Sequence, residues 1–445
     1  MHTWYEQAVF YHIYPLGLLG AEKTNTLTET AHRLTELESW IPHISDLNGS
    51  AIYIGPLFES CTHGYDTKDF RLVDRRLGSN EDFARFVRLC HENGIRVVVD
   101  GVFNHTGREF FAFQDIREKR EASPYKDWYR GVNFGWGSPL GDPFGYEAWQ
   151  GHFELPCLNL WNPEVRQYLF DSIQFWVDNF NIDGIRLDCA NVLDFGFMKE
   201  LREKTSAMKP DFWLMGEVIH GEYNRWVNPE MLHSVTNYEL HKALYSGHND
   251  HNYFEIAHNV RRLEAVGRSL YTFVDNHDED RIASKLNNLT NLFPVYQLLF
   301  TLPGIPSVYY GSEWEIEGKR SRTSDEVLRP ALNLSDMHGK APELASHIAA
   351  LGKIHTENDA FHNGSYKELL LTNRQYAFSR SGEHGTVISA VNNDEQPASI
   401  SIPLPCAASD VVSLLPGEIP FSLENGRLSV TLPANGGAIF KLQEV

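Results

Sequence analysis

Residues 182–188 read Ile182-Asp183-Gly184-Ile185-Arg186-Leu187-Asp188, a short run whose two faces carry different chemistry. Side chains alternate along an extended chain, so Ile185 and Leu187 point into packing while Arg186 and Asp188 share the opposite face. The run reads as a buried strand that ends in a functional site. Two further carboxylates, Glu217 and Asp278, also follow apolar runs that stop abruptly in polar residues.

Outward from this run, strand-length apolar segments alternate with helix-like ones. Toward the N-terminus, residues 9–14, 51–54 and 95–99 read as strands, separated by helical patterns at 33–47 and 81–93. Ser79 and Asn80 supply a helix cap and Gly94 a stop. Toward the C-terminus the strands are 185–188, 212–216, 234–236, 269–274 and 305–309, with helices at 163–180, 197–208, 253–266 and 289–302. Eight such units with polar strand ends predict a closed (β/α)8 TIM barrel. No G-x-G-x-x-G follows a strand, which argues against a dinucleotide fold.

Roughly sixty residues between the third strand and the helix at Pro163 break the rhythm, and a loop that long is usually functional. This stretch interleaves glycines with Trp128, Trp136, Tyr146, Trp149 and Trp161, and predicts a small subdomain over the barrel mouth. From about residue 361 the pattern becomes short alternating strands with turns, which predicts an all-β sandwich. The expected organisation is barrel at 1–103, inserted subdomain at 104–161, barrel again at 162–360 and C-terminal sandwich at 361–445.

Composition narrows the partners. The 445 residues carry 59 acidic against 39 basic side chains, a net charge of −20, with no basic cluster of the kind that neutralises a phosphate backbone. Nucleic acid is therefore not an expected partner. No leader pattern opens the chain and no apolar run is long enough to span a bilayer, so no membrane association is expected. Five scattered cysteines without C-x-x-C spacing read as reduced thiols, and the expected location is cytoplasmic. The sequence leaves room for a homo-oligomer.

Barrel enzymes place their chemistry at the carboxyl ends of the strands. Those ends deliver Asp100, Asn104 and His105 from the third strand, Arg186 and Asp188 from the fourth, Glu217 from the fifth, and His277 and Asp278 from the seventh. Cleaving a glycosidic bond requires one carboxyl to protonate the leaving oxygen and another to trap an oxocarbenium-like centre. Asp188 is the candidate nucleophile, oriented by Arg186, and Glu217 the candidate acid/base, which needs a raised pKa to carry a proton near neutrality. Asp278, His105 and His277 are expected to hold sugar hydroxyls, with Asp100 supporting them. Trp226 is a further candidate for sugar contact.

The stretches Asp100-Gly101-Val102-Phe103-Asn104-His105, Gly184-Ile185-Arg186-Leu187-Asp188, Gly216-Glu217-Val218 and Phe273-Val274-Asp275-Asn276-His277-Asp278 resemble, in order, the four motifs of the α-amylase family of glycoside hydrolases. The match extends to Tyr11-His12-Ile13-Tyr14-Pro15, His63-Gly64-Tyr65-Asp66 and Gly304-Ile305-Pro306-Ser307-Val308-Tyr309-Tyr310-Gly311. The resemblance implies a retaining mechanism on α-glucosidic bonds, with Asp188 as nucleophile, Glu217 as acid/base, Asp278 as transition-state stabiliser and Tyr65 stacked under the sugar. Asp188-Cys189-Ala190-Asn191-Val192 is similar to the corresponding stretch of neopullulanases, cyclomaltodextrinases and maltogenic amylases, and implies α-1,4-linked maltooligosaccharides or cyclodextrins as substrates, with transglycosylation as a side reaction. Those enzymes carry an N-terminal β-domain, for which a first strand near Val9 leaves no room. No cofactor is expected, and calcium is left open on a single candidate ligand, Asn104. Asn191-Val192 stand where calcium-binding amylases carry a Lys-His pair, and Asn104 alone falls short of the six to eight oxygens calcium takes. Activity toward α-1,6 bonds or sucrose- or trehalose-type substrates stays open, as does a non-catalytic sugar-binding barrel.

Overall fold

The structure, a computed structural model, describes residues 3–444. Eight parallel strands form its central sheet: β1 (Phe10–Ile13), β2 (Ala51–Ile54), β3 (Arg96–Gly101), β4 (Gly184–Leu187), β5 (Trp213–Gly216), β6 (Ser234–Val235), β7 (Tyr271–Phe273) and β8 (Ile305–Tyr309). The strands run in chain order from β6 back to β1, and β1 also pairs with β8, which pairs with β7. A bridge between Thr236 and Tyr271 closes β6 on β7, so the sheet is a barrel.

Alternation explains the two cores. Phe10, Tyr53, Val98, Trp213, Met215, Tyr271 and Phe273 fill the barrel interior. Their neighbours Ile52, Val97, Val99, Ile185 and Leu214 face outward under the helices. The helix at Asn80–Glu92 begins where expected, because the Ser79 side chain accepts from Asp82 N while Asp82 accepts from Ser79 N. The helix at Pro163–Phe180 has Asn162 as its cap and proline in its first turn.

Among the elements not anticipated from the sequence, a hairpin and a helix bear on the barrel. A hairpin, Phe58–Ser60 with Thr67–Val73, follows β2. A helix at Tyr238–Asn249 follows β6, started by Asn237 Oδ1 accepting from Leu240 N. The insertion after β3 contains a helix at Phe111–Lys119 and a hairpin of Ala148–Trp149 with His152–Pro156. Its hub is the buried Asp142, which accepts from Arg108 Nη2 at 2.5 Å, Ser138 Oγ at 2.6 Å and Tyr146 OH at 2.9 Å. Beyond the helix at Pro342–Glu357, the chain forms antiparallel sheets of five and three strands with their own apolar core. Gln297 Nε2 of the barrel donates to Ser389 Oγ, Ala390 O and Ala438 O, which fastens the two together. Among the described residues, no helix is long and apolar enough to cross a membrane.

The carboxylate that opens β4 is structural. Asp183, 1% exposed, accepts from Val97 N at 2.9 Å and pairs with Arg96 at 3.0 Å, Lys209 at 3.0 Å and His91 at 2.6 Å. Burial alone would raise its pKa, but His91, Lys209 and the Val97 amide hold it down at about 2. A folded pKa below the unfolded value of about 3.9 gives stability that is complete above that value and is lost as pH falls through 2, on the order of 2.5 kcal/mol in all. Asp183→Ala strands a buried amide and two cations, and is expected to cost about 3 kcal/mol. A thermal melt checks it. Asp183 lies five residues, roughly 16 Å, from Asp188 along the strand, so kcat should not change.

Candidate active site

Register brings the carboxylates together. Leu187 on β4 is paired with Gly216 on β5, so the next residues, Asp188 and Glu217, leave adjacent strands side by side. Asp100 on β3 is paired with Arg186 on β4. Arg186 Nη1 donates to Asp100 Oδ1 at 2.9 Å and to Asp188 Oδ1 at 2.8 Å, and Nη2 lies 3.0 Å from Glu217 Oε2. One buried guanidinium thus joins three carboxylates from three strands. Burial alone would lower the pKa of Arg186, but Asp100 and Glu217 hold it well above the ordinary value, so it stays charged. At Gly55, an added Cβ would stand 2.5 Å from Asp100 Cβ, so glycine is needed where the end of β2 passes that carboxylate.

Glu217 has the opposite character from an exposed carboxylate. Burial pushes its pKa up to about 7; Arg186 opposes the shift, while the charges of Asp188 and Asp278 add to it. Its Oε2 accepts from Cys189 N at 2.9 Å, and Cys189 adopts φ 40° to aim that amide. Positive φ in a non-glycine residue is uncommon and concentrates at functional sites. Asp278 is pushed the other way. Burial would raise its pKa, but the imidazole of His277 and the guanidinium of Arg329 hold it far below the usual carboxylate range. His277 Nε2 lies 3.0 Å from Asp278 Oδ2, and Arg329 Nη2 donates to Asp278 Oδ1 at 2.7 Å. A carboxyl able to hold a proton at neutrality and a carboxylate that cannot take one therefore face the same space.

Tyr65, Asp188, Glu217, Asp278 and His105 line one cleft of about 410 Å³, a size that suits a small ligand. Tyr65 is delivered by Gly64, whose φ of 95° and close approach to Pro56 exclude a side chain. Tyr65 OH donates to Asp100 Oδ2 at 3.1 Å and lies 2.6 Å from His277 Nε2. His105 stacks against Trp149 of the inserted hairpin, with ring centroids 6.2 Å apart. Asp100 and His277 lie beneath the cleft wall and position Tyr65, Arg186 and Asp278. Trp226 is a correction: it is 4% exposed, packs on Phe195 and does not line the cleft, because the turn after β5 folds it inward against Gly221. Arg329, His63, Ile219 and Asp325 line the cleft without having been anticipated. Only Ile219, two residues beyond Glu217, and His63, beside Tyr65, had a local signal; Arg329 arrives from 51 residues beyond Asp278.

A parallel eight-stranded barrel with these carboxylates at its strand ends defines a class, the barrel glycoside hydrolases. The profile described as "Alpha amylase, catalytic domain" matches residues 25–343, and the chain belongs to the α-amylase family. It is 29% identical to a cyclomaltodextrinase of Geobacillus thermopakistaniensis over 99% of this chain and 78% of that protein. It is 31% identical to an intracellular maltogenic amylase of Bacillus subtilis over 63% of this chain and 48% of that one. Among solved structures, a debranching enzyme from Nostoc punctiforme superposes with a TM-score of 0.85 at 26% identity, covering 99% of this chain and 100% of that one.

Proposed function

We propose that the protein hydrolyses α-1,4-glucosidic bonds in maltooligosaccharides and cyclodextrins with retention of anomeric configuration, in the cytoplasm. The observation that carries this is the Arg186 guanidinium joined to both Asp188 and Glu217 beside an Asp278 held ionised. In the proposed sequence, Glu217 gives its proton to the leaving oxygen as the bond from C1 breaks, and a carboxylate oxygen of Asp188 bonds to C1. Glu217 then takes a proton from water, whose oxygen attacks C1 and releases Asp188. Asp278 stabilises the positive charge at the transition state, Arg186 orients Asp188, Tyr65 stacks under the ring, and His105 holds its hydroxyls while His277 positions Tyr65 and Asp278. A sugar acceptor in place of water gives transglycosylation. Similarity to a cyclomaltodextrinase and an intracellular maltogenic amylase supports both the substrate class and the location.

The Nostoc punctiforme debranching enzyme, matched over nearly the full length of both chains, favours a second reading, cleavage of α-1,6 bonds. A product profile across maltotriose, a cyclodextrin, pullulan and isomaltose separates the two. Fast release of glucose and maltose from maltotriose and cyclodextrin, with the α-anomer formed first by NMR, is the expected result. Preferential cleavage of isomaltose, or of the α-1,6 bonds of pullulan, establishes the second reading, and β-anomer as first product removes Asp188 as nucleophile.

A further inference from the structure

We infer that the floor of the cleft is also a binding site for one thiophilic divalent cation of the Zn²⁺ class, held by His105 Nε2, a carboxylate oxygen of Asp188 and Cys189 Sγ, and that its occupation shuts the enzyme off. Among the described residues, these three side chains bring candidate ligand atoms within 4.8 Å of one another. Cys189 Sγ already lies 2.9 Å from Asp188 Oδ2. His105 supplies the second, independent observation. Its ring is 1% exposed, Asn104 Nδ2 engages Nδ1 at 3.1 Å, and Nε2 is buried without a hydrogen bond of good geometry, the Tyr65 backbone being the polar group beside the ring. An orphaned imidazole nitrogen is costly unless something occupies it.

The donor set selects the ion. One imidazole nitrogen, one sulfur and one carboxylate oxygen suit Zn²⁺ and its soft neighbours, whereas Ca²⁺ and Mg²⁺ want oxygen alone. All three ligands line the cleft, which gives the ion a path. A tetrahedral zinc spaces its ligand atoms about 3.3–3.6 Å apart, so the sulfur and the carboxylate oxygen, now 2.9 Å apart, must open slightly while the imidazole closes on them. The fourth position falls to water.

The cysteine has no other evident use as a reactive thiol. Burial and the charge of Asp188 push its pKa well above the ordinary value, so without metal it is an S–H donor to Asp188 and a poor nucleophile. On binding, the S–H bond breaks, a sulfur–metal bond forms and the proton leaves to solvent; no electrons are exchanged. With Asp188 engaged by the ion, its oxygen cannot reach C1. The inhibitory half of this inference rests on the proposed function, but the binding half does not.

The full-length protein, with the two partly exposed thiols removed as Cys61→Ser and Cys406→Ser, is titrated with Co²⁺ as a spectroscopic probe. A thiolate-to-cobalt charge-transfer band at one equivalent, displaced by Zn²⁺ and absent from both Cys189→Ala and Cys189→Ser, is the expected result. In parallel, Zn²⁺ should inhibit hydrolysis competitively while Ca²⁺ and Mg²⁺ do not. Its inhibition constant should weaken by roughly 100-fold in either Cys189 variant, each compared with its own zinc-free rate. A cobalt band that survives in both variants, or equal zinc sensitivity in all three proteins, overturns the assignment. A Cys189-dependent band in a protein that hydrolyses no glucan would uphold the metal site and reject the enzymatic reading.

Discussion

Asp188→Asn is expected to lower kcat/KM by about 10⁴-fold or more on maltotriose, equivalent to roughly 5.5 kcal/mol of lost transition-state stabilisation. The amide has nearly the shape of the carboxylate it replaces, so packing around it should survive. Arg186 keeps its contacts with Asp100 and Glu217, and Cys189 N keeps Glu217 as acceptor. What is lost is an anionic oxygen able to bond to C1, and no neighbour is placed to substitute. Asp100 is 1% exposed and held by Tyr53, Tyr65 and Arg186, and Asp278 is committed to Arg329 and His277. The check is steady-state kinetics on a variant whose melting temperature matches wild type, together with trapping by a fluorinated glucosyl fluoride. A covalent adduct on the peptide containing Asp188 is expected. Wild-type rates in the variant, or an adduct mapped to Asp278, would sink the assignment.

The part of this site that could be read from the chain is the part in which strand periodicity and chemistry coincide. Arg186, Asp188 and Glu217 follow short buried strands, where a charged residue is conspicuous, and the register Leu187 with Gly216 then sets them side by side. The barrel was legible for the same reason: runs such as residues 95–99, rich in valine and bounded by Gly94 and Asp100, are short and β-branched and read as buried strands. Trp226 shows the limit, because a loop tryptophan reads alike whether its ring lines a cleft or, as here, packs against Phe195. Arg329 shows another, since its link to Asp278 depends on how a long segment after β8 folds back over the mouth. The helix at Tyr238–Asn249 carries His241, Gly247 and His248, and its pattern was too mixed to declare it. Its stability comes from Asn237 as cap and from packing on the helix at Tyr253–Arg262. The hairpin at Phe58–Ser60 was hidden by irregular register, with shifts on both sides of Glu59.

Glu217→Gln is the second large effect, and its signature differs from that of Asp188→Asn in a way that identifies the role. General acid catalysis contributes about 10²–10⁴-fold, so hydrolysis of a maltooligosaccharide should fall by that factor. The loss should be small for the first step on a substrate such as an aryl maltoside with a strongly acidic phenol, because its leaving oxygen needs no proton. Intermediate should then accumulate, since the same side chain would have to deprotonate water, and an added anionic nucleophile such as azide should restore turnover by giving a glycosyl azide. The pH profile carries the same information. Glu217 must be protonated for the first step, so with its pKa pushed up to about 7 by burial, kcat/KM in the wild type should fall above pH 7. Weakening the like-charge contribution should move that limb. Asp278→Asn removes one of the charges that raises Glu217, and the alkaline limb of its residual activity should shift to lower pH. An alkaline limb that stays in place in Asp278→Asn, or equal losses for activated and unactivated substrates in Glu217→Gln, would assign the proton to another group.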